Sequence, residues 1–150
     1  MPSVVIVGGG VGGLACALAL QRKGTHVRVV ERAQPPSGVG ILLVTRRTVE
    51  RLGLTDVGAV GLFDTVVLET GATQKRTLRF HKPFVVLRRD ALVTKLEETL
   101  TTPVTRAREW TLGTEGVSVS TSDDDHELLC ADLVVGADGV HSRVRDALAN

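Results

Sequence analysis

The chain has 150 residues, enough for one domain with a core of its own. A hydrophobic content of 43%, a charged content of 23% and a net charge of +1 are those of an ordinary soluble globular protein, and they supply no global field for nucleic acid or an anionic membrane. Aromatic residues make up 3% of the chain, too few for a base-stacking nucleic-acid surface.

In chain order, Val4-Val5-Ile6-Val7 reads as an apolar strand. It runs into Gly8-Gly9-Gly10-Val11-Gly12-Gly13 and a helix predicted from about Val11 to Lys23, with Leu14, Ala15, Ala17 and Leu18 inward and Gly24 at its end. A second strand, Val27-Arg28-Val29-Val30, ends on Glu31 and Arg32. Strand, glycine turn, helix, strand and acid in register form a complete dinucleotide-binding fingerprint. Gly8 permits the sharp turn, Gly10 has no Cβ to keep a pyrophosphate away, and Gly13 lets the helix approach the sheet. The unpaired N–H groups at the helix start, around Val11 and Gly12, face the phosphates. Glu31 is placed to accept hydrogen bonds from ribose hydroxyls and to repel a 2′-phosphate, which argues against NADP in this slot. Residues 4–20 carry no charge, as a signal peptide core would, but five glycines interrupt them and no Lys or Arg precedes them.

After a loop at 33–38, Gly40-Ile41-Leu42-Leu43-Val44 leads to a short helix from about Thr45, with Val49 and Leu52 apolar and Gly53 as its stop. Residues 65–87 read as β structure: Thr65 to Glu69, a turn at 70–72, Arg76 to Phe80, then Phe84 to Leu87. A helix is predicted from Asp90 to Leu100, with Leu92, Val93, Leu96 and Leu100 as its stripe. Residues 104–130 form an expected antiparallel meander, turning at 113–116 and at Ser122-Asp123-Asp124-Asp125, a solvated turn rather than a metal loop. Leu133-Val134-Val135 has the fully apolar pattern of a buried parallel strand. It ends in Gly136-Ala137-Asp138-Gly139, and a helix is expected from near Val140 with Val144 and Leu148 on one face.

Cys16 and Cys130 are no disulfide framework, and a reducing cytoplasm fits them. His26, His81 and His126 lack metal-ligand spacing, so no metal is expected. Asp138, His141 and Ser142 are the residue types of a hydrolase triad, without the Gly-x-Ser-x-Gly elbow that would support one. No side chain is assigned as a catalytic acid or base.

Asp132-Leu133-Val134-Val135-Gly136-Ala137-Asp138-Gly139-Val140-His141-Ser142-Arg143-Val144-Arg145 resembles the "DG" motif of class A flavin-dependent monooxygenases, the para-hydroxybenzoate hydroxylase-like family, with Asp138, Gly139, Ser142 and Arg145 in register. Leu87-Arg88-Arg89-Asp90-Ala91-Leu92 is similar to that family's Arg-x-x-Leu helix start, whose arginine contacts FAD. The register gives Arg89, with Arg88 the weaker candidate. With the glycine fingerprint these are three motifs in the family's order over essentially the whole chain. The resemblance implies an α/β fold: a Rossmann-like βαβ core with a parallel sheet and an antiparallel β-meander. Residues 1–150 would be one FAD-binding domain, with about 65–87 the first strands of an incomplete substrate sheet. It implies FAD as cofactor, NAD(P)H as transient reductant and O₂ as co-substrate, acting on an aromatic or polyketide-like small molecule. The implied cofactor-binding residues are Gly8, Gly10, Val11, Gly12, Gly13, Glu31, Arg32, Arg89, Asp138 and Gly139.

Two departures stand out. Family members continue with most of a substrate sheet and a second flavin motif, a Gly-Asp, that this sequence does not contain. A second polypeptide or a longer chain is then expected to complete the flavin and substrate sites. Where the family often has a small residue followed by Pro-Asn-Ala, this chain has Leu42 and then Thr45-Arg46-Arg47. A non-catalytic FAD- or ADP-binding or interaction module remains the alternative. An NAD-dependent dehydrogenase fits the first motif but leaves Arg89 and the DG segment unexplained.

Overall fold

The computed structural model describes residues 2–32, 40–54, 57–70, 74–122 and 125–149. The predicted loop at 33–38, most of the turn at 70–72 and the pair at 123–124 lie outside the described residues. The chain divides into two units, residues 1–37 with 93–150 and residues 38–92.

The first unit is built on a parallel sheet. β1 (Ser3–Val7) pairs on one side with β2 (His26–Arg32) and on the other with β10 (Leu133–Gly136), and β2 pairs with β6 (Thr105–Ala107), giving the order β10-β1-β2-β6. Four consecutive valine and isoleucine residues make β1 the central strand, because Val4, Val5, Ile6 and Val7 are all buried. Helix α1 (Val11–Gln21) connects β1 to β2 and buries Gly13, Leu14, Ala17 and Leu18. Ala15, expected inward, is half-buried. Leu14 is completely buried, so truncating it to Ala costs about 2–5 kcal/mol. The antiparallel sheet β7 (Glu109–Gly113), β8 (Gly116–Ser120), β9 (His126–Cys130) lies against the other face. There Val117, Val119 and Leu129 share a core with Val5, Val7, Val30, Ala107 and Val144, flanked by Trp110 and Leu112. Strand alternation turns Val4, Ile6, Val27 and Val29 the opposite way, to the α1 side.

Three expectations change here. Thr105–Ala107 joins the parallel sheet rather than the meander, because the outer edge of β2 from Val30 to Arg32 is open to it. The apolar run at 133–135 is parallel as expected but is an edge strand, so Leu133 is 56% exposed. The last helix, α4 (Arg143–Leu148), starts three residues later than expected because Ser142 is extended and caps it, its hydroxyl accepting from Arg145 N–H at 3.0 Å. Only Val144 of that helix is buried; Leu148 is exposed.

The second unit holds an antiparallel sheet in the order β3-β5-β4, with β3 (Ile41–Thr45), β4 (Gly61–Thr70) and β5 (Gln74–Arg88). The two strands expected at 76–80 and 84–87 are one continuous strand. Its register jumps from Phe63 opposite Phe84 to Thr65 opposite Arg79, so Pro83 sits in a bulge where its missing N–H costs no ladder bond. Helix α2 (Arg46–Arg51) follows β3, capped by the Thr45 hydroxyl accepting from Thr48 N–H, and Gly53 at φ +61° ends it. Helix α3 (Arg89–Thr99) leaves β5 and continues into the first unit. Leu92, Val93 and Leu96 are its buried stripe. Among the described residues no helix is long and apolar enough to cross a membrane.

Candidate functional site

Parallel pairing brings the carboxyl ends of β1, β2 and β10 to one place, where an open α/β sheet receives its ligand. The glycine turn lies there, held from both neighbouring strands. Gly8 N–H donates to the Val30 carbonyl at 2.8 Å, and Ala137 N–H donates to the Val7 carbonyl at 2.7 Å. Gly8 adopts φ +117°, and a Cβ on it would lie 2.3 Å from the Ala137 carbonyl oxygen. A Cβ on Gly13 would lie 1.9 Å from the Gly8 carbonyl oxygen. Both positions therefore need glycine for the fold itself, and the second motif backs the first through Ala137.

Gly10 and Gly12 differ. A Cβ on either meets nothing within 4 Å. The fold leaves them free, and the space in front of them is where an incoming group would stand. Gly10 is the N-cap of α1, no side chain caps this end, and the first turn carries no acid. The N–H groups at Val11, Gly12 and Gly13 precede the first intrahelical bond, which Leu14 N–H makes to the Gly10 carbonyl at 3.0 Å. Open space, unsatisfied donors and a positive helix end suit a pyrophosphate, so the residues present fit the phosphate part of a dinucleotide.

Glu31, at the end of β2, turns its carboxylate onto the turn. One oxygen accepts from Gly9 N–H and the other from Arg32 N–H, the latter at 2.7 Å. Gly9 is buried, and a Cβ there would lie 2.8 Å from Glu31 Cβ. Sequence reasoning missed Gly9, which the fingerprint spacing skips; the extra glycine between Gly8 and Gly10 was the one signal in the sequence. The Arg32 side chain is exposed.

Asp138 is committed to α4. Its Oδ1 accepts from the Ser142 hydroxyl at 2.6 Å, and its Oδ2 from Arg143 N–H at 2.7 Å and Val144 N–H at 3.2 Å. Partial burial pushes its pKa up, but the hydrogen bonds from Ser142, Val144 and Arg143 outweigh this and hold the carboxyl below its ordinary value. Gly139 follows at φ +85° with open space around it. The Arg143 guanidinium lies 4.7 Å from the Trp110 ring centroid, fastening the start of α4 to β7, a link with no motif to announce it.

The structure thus brings together Gly8, Gly10, Val11, Gly12, Gly13, Glu31, Arg32, Asp138 and Gly139 in the first unit. Arg89 belongs to the second. It is exposed, opens α3, and donates its N–H to the Gly40 carbonyl at 2.7 Å. Its neighbour Arg88 is paired with Asp90, Nε to Oδ1 at 3.1 Å, whereas the Arg89 guanidinium has no ion pair among the described residues. Arg46 and Arg47 are exposed at the start of α2.

A Rossmann-like α/β fold with a glycine turn of this shape defines a dinucleotide-binding protein. Residues 1–149 match the FAD binding domain family, and the chain belongs to that family. It is similar to an FAD-dependent monooxygenase of Calcarisporium arbuscula, at 33% identity over 97% of this chain and 34% of that protein. It is also similar to 3-hydroxybenzoate 6-hydroxylase of Klebsiella oxytoca, at 32% identity over 96% of this chain and 42% of that protein. Among solved structures, 2-methyl-3-hydroxypyridine-5-carboxylic acid oxygenase matches with a TM-score of 0.72 at 26% identity, over 99% of this chain and 42% of that one. The chain spans between 34% and 42% of the length of these relatives.

Proposed function

We propose that this chain is the FAD-binding portion of a flavin-dependent monooxygenase, a hydroxylase or epoxidase using NAD(P)H and O₂ on an aromatic or polyketide-like small molecule. The observation that carries the reading is the glycine turn clamped between Val30 and Ala137, with open space before Gly10 and Gly12. In this reading the N–H groups of Gly10, Val11, Gly12 and Gly13 bind the pyrophosphate, and Glu31 with Arg32 borders the adenosine ribose. Arg89 supplies a charge-assisted contact to the phosphate and ribitol region. Asp138 and Gly139 shape the loop beside the cofactor, Asp138 by holding α4 rather than by reaching out itself. Bound FAD supplies the redox chemistry, and this chain's residues bind and orient it. The two free cysteines, one half-buried and one exposed, support a reducing, cytoplasmic setting.

The rest of the substrate and flavin sites comes from polypeptide beyond these 150 residues, either the remainder of a longer chain or a second subunit. Its support is the exposed apolar surface on the second unit, where Ile41 is 67% and Leu43 55% exposed. A non-catalytic FAD- or ADP-binding module is the second reading, favoured by the departure at Thr45-Arg46-Arg47, whose two arginines stand exposed at the start of α2.

The test is an absorbance spectrum after loading with FAD and desalting, followed by NADH and NADPH oxidation. Retained flavin bands support the cofactor site, and a protein that cannot be loaded refutes it. Turnover with a completing polypeptide separates the enzyme from the module. Arg89→Ala should leave the thermal midpoint unchanged and weaken FAD at least tenfold, about the worth of one hydrogen bond to a charged group.

A further inference from the structure

We propose that Glu31 is a positioning residue of the glycine turn, holding Gly9 in the binding geometry independently of any ribose contact. The inference rests on the cofactor reading above and deepens it. Three observations carry it. The Glu31 carboxylate accepts from Gly9 N–H. The match is steric as well as polar, since the Glu31 side chain occupies the space that a Cβ at Gly9 would need. Its second oxygen is fixed by Arg32 N–H, so the carboxylate is oriented from its own strand end.

Gly9 is buried and lies between the two glycines whose geometry matters most. Gly8 is pinned to Val30, and Gly10 caps α1. A buried N–H without its acceptor is costly. Removing the carboxylate lets the peptide at Gly9 turn to find another acceptor, and that rotation moves the neighbouring donors aimed at the pyrophosphate. Each carboxylate oxygen accepts in two directions, so Glu31 can hold the turn and still receive a ribose hydroxyl.

A ligand without the hydroxyls separates the two roles. Wild type, Glu31→Ala and Glu31→Gln are titrated calorimetrically with ADP and with 2′,3′-dideoxy-ADP. Amide exchange at Gly9 is followed by NMR in the ligand-free proteins. If Glu31 positions the turn, Glu31→Ala weakens dideoxy-ADP about tenfold, a hydrogen-bond-sized loss. That fall opposes the electrostatic trend, because deleting a negative charge by itself favours an anionic nucleotide. Glu31→Gln, which keeps a carbonyl acceptor for Gly9, restores most of the loss. Gly9 exchange is slow in wild type and in Glu31→Gln and fast in Glu31→Ala. Equal dideoxy-ADP affinity in all three proteins, with only ADP weakened, overturns the proposal and leaves Glu31 a ribose ligand alone. A wild type that binds neither nucleotide refutes the cofactor reading, and Gly9 exchange then decides for Glu31: equal rates in wild type and Glu31→Ala overturn the hold, and slower exchange in wild type sustains it.

Discussion

Replacing Asp138 with Ala removes one carboxylate from three donors at once. The Ser142 hydroxyl is half-buried and Arg143 is exposed, so water replaces their lost acceptor at small cost. The donor that suffers is Val144 N–H, on the one buried residue of α4. Leaving a buried N–H unsatisfied costs about 1–3 kcal/mol. Ser142 still caps the helix through Arg145 N–H, which keeps the loss near the middle of that range. The expected destabilisation is about 2 kcal/mol, or about 4–8 °C in the thermal midpoint of a chain of this size. The pH dependence carries a sign. The folded-state pKa of Asp138 lies below the unfolded value of 3.8, so its stabilisation is fully present above that value and is lost as the pH falls from 3.8 through the folded value. Urea unfolding of wild type and Asp138→Ala should show a constant difference from pH 7 to about pH 5 that narrows toward pH 3 and below. A difference under about 0.5 kcal/mol at neutral pH, the scatter of ordinary surface substitutions, would refute the reasoning. So would a difference that widens on acidification.

Three further substitutions test the division of labour among the glycines and around the second motif. Gly12→Ala meets nothing within 4 Å, so it should leave stability unchanged or raise it by up to about 1 kcal/mol through helix propensity, while FAD affinity falls at least tenfold. Equal affinity would show that the space before Gly12 is not used. Gly13→Ala drives a Cβ to 1.9 Å from the Gly8 carbonyl oxygen and should cost about 3 kcal/mol or more in urea unfolding, with or without FAD. A midpoint equal to wild type would contradict the close helix–turn contact. Arg143→Ala loses the stack on Trp110, worth about 0.5–1 kcal/mol, and should alter the emission of Trp110. Because the chain has a single tryptophan, an unchanged spectrum would mean that the guanidinium does not sit on the ring in solution.

The glycine fingerprint was legible because its information is local. Gly8, Gly10 and Gly13 fall at spacings that a strand-turn-helix imposes within one βαβ unit, and Glu31 stands one strand later. What the spacing could not disclose is which glycine answers to which neighbour. Gly8 owes its missing side chain to the Ala137 carbonyl and Gly9 to the side chain of Glu31, and both follow from strand register rather than sequence distance. The DG segment was recognisable as a motif, yet Asp138 proved to be occupied with the first N–H groups of α4, a role invisible without knowing where that helix starts. Thr105–Ala107 is too short for periodicity to tell a parallel edge from a meander strand. Pro83 reads as a strand breaker, and only the register slip opposite Asp64 explains why the strand survives it. A run such as Leu133-Val134-Val135 is equally apolar in the middle of a sheet and at its margin.

The seat of Gly8 on Ala137 also sets a schedule for biosynthesis. The fingerprint leaves the ribosome ahead of the strand that backs it, which follows about 130 residues later, roughly 6–26 s at ordinary elongation rates. Through that interval the nascent β1-α1-β2 segment has its glycines without the carbonyl that fixes them, and its central strand has one edge bare. Capture of a nucleotide therefore follows synthesis of β10, and cofactor retention reports that β1 and β10 have met.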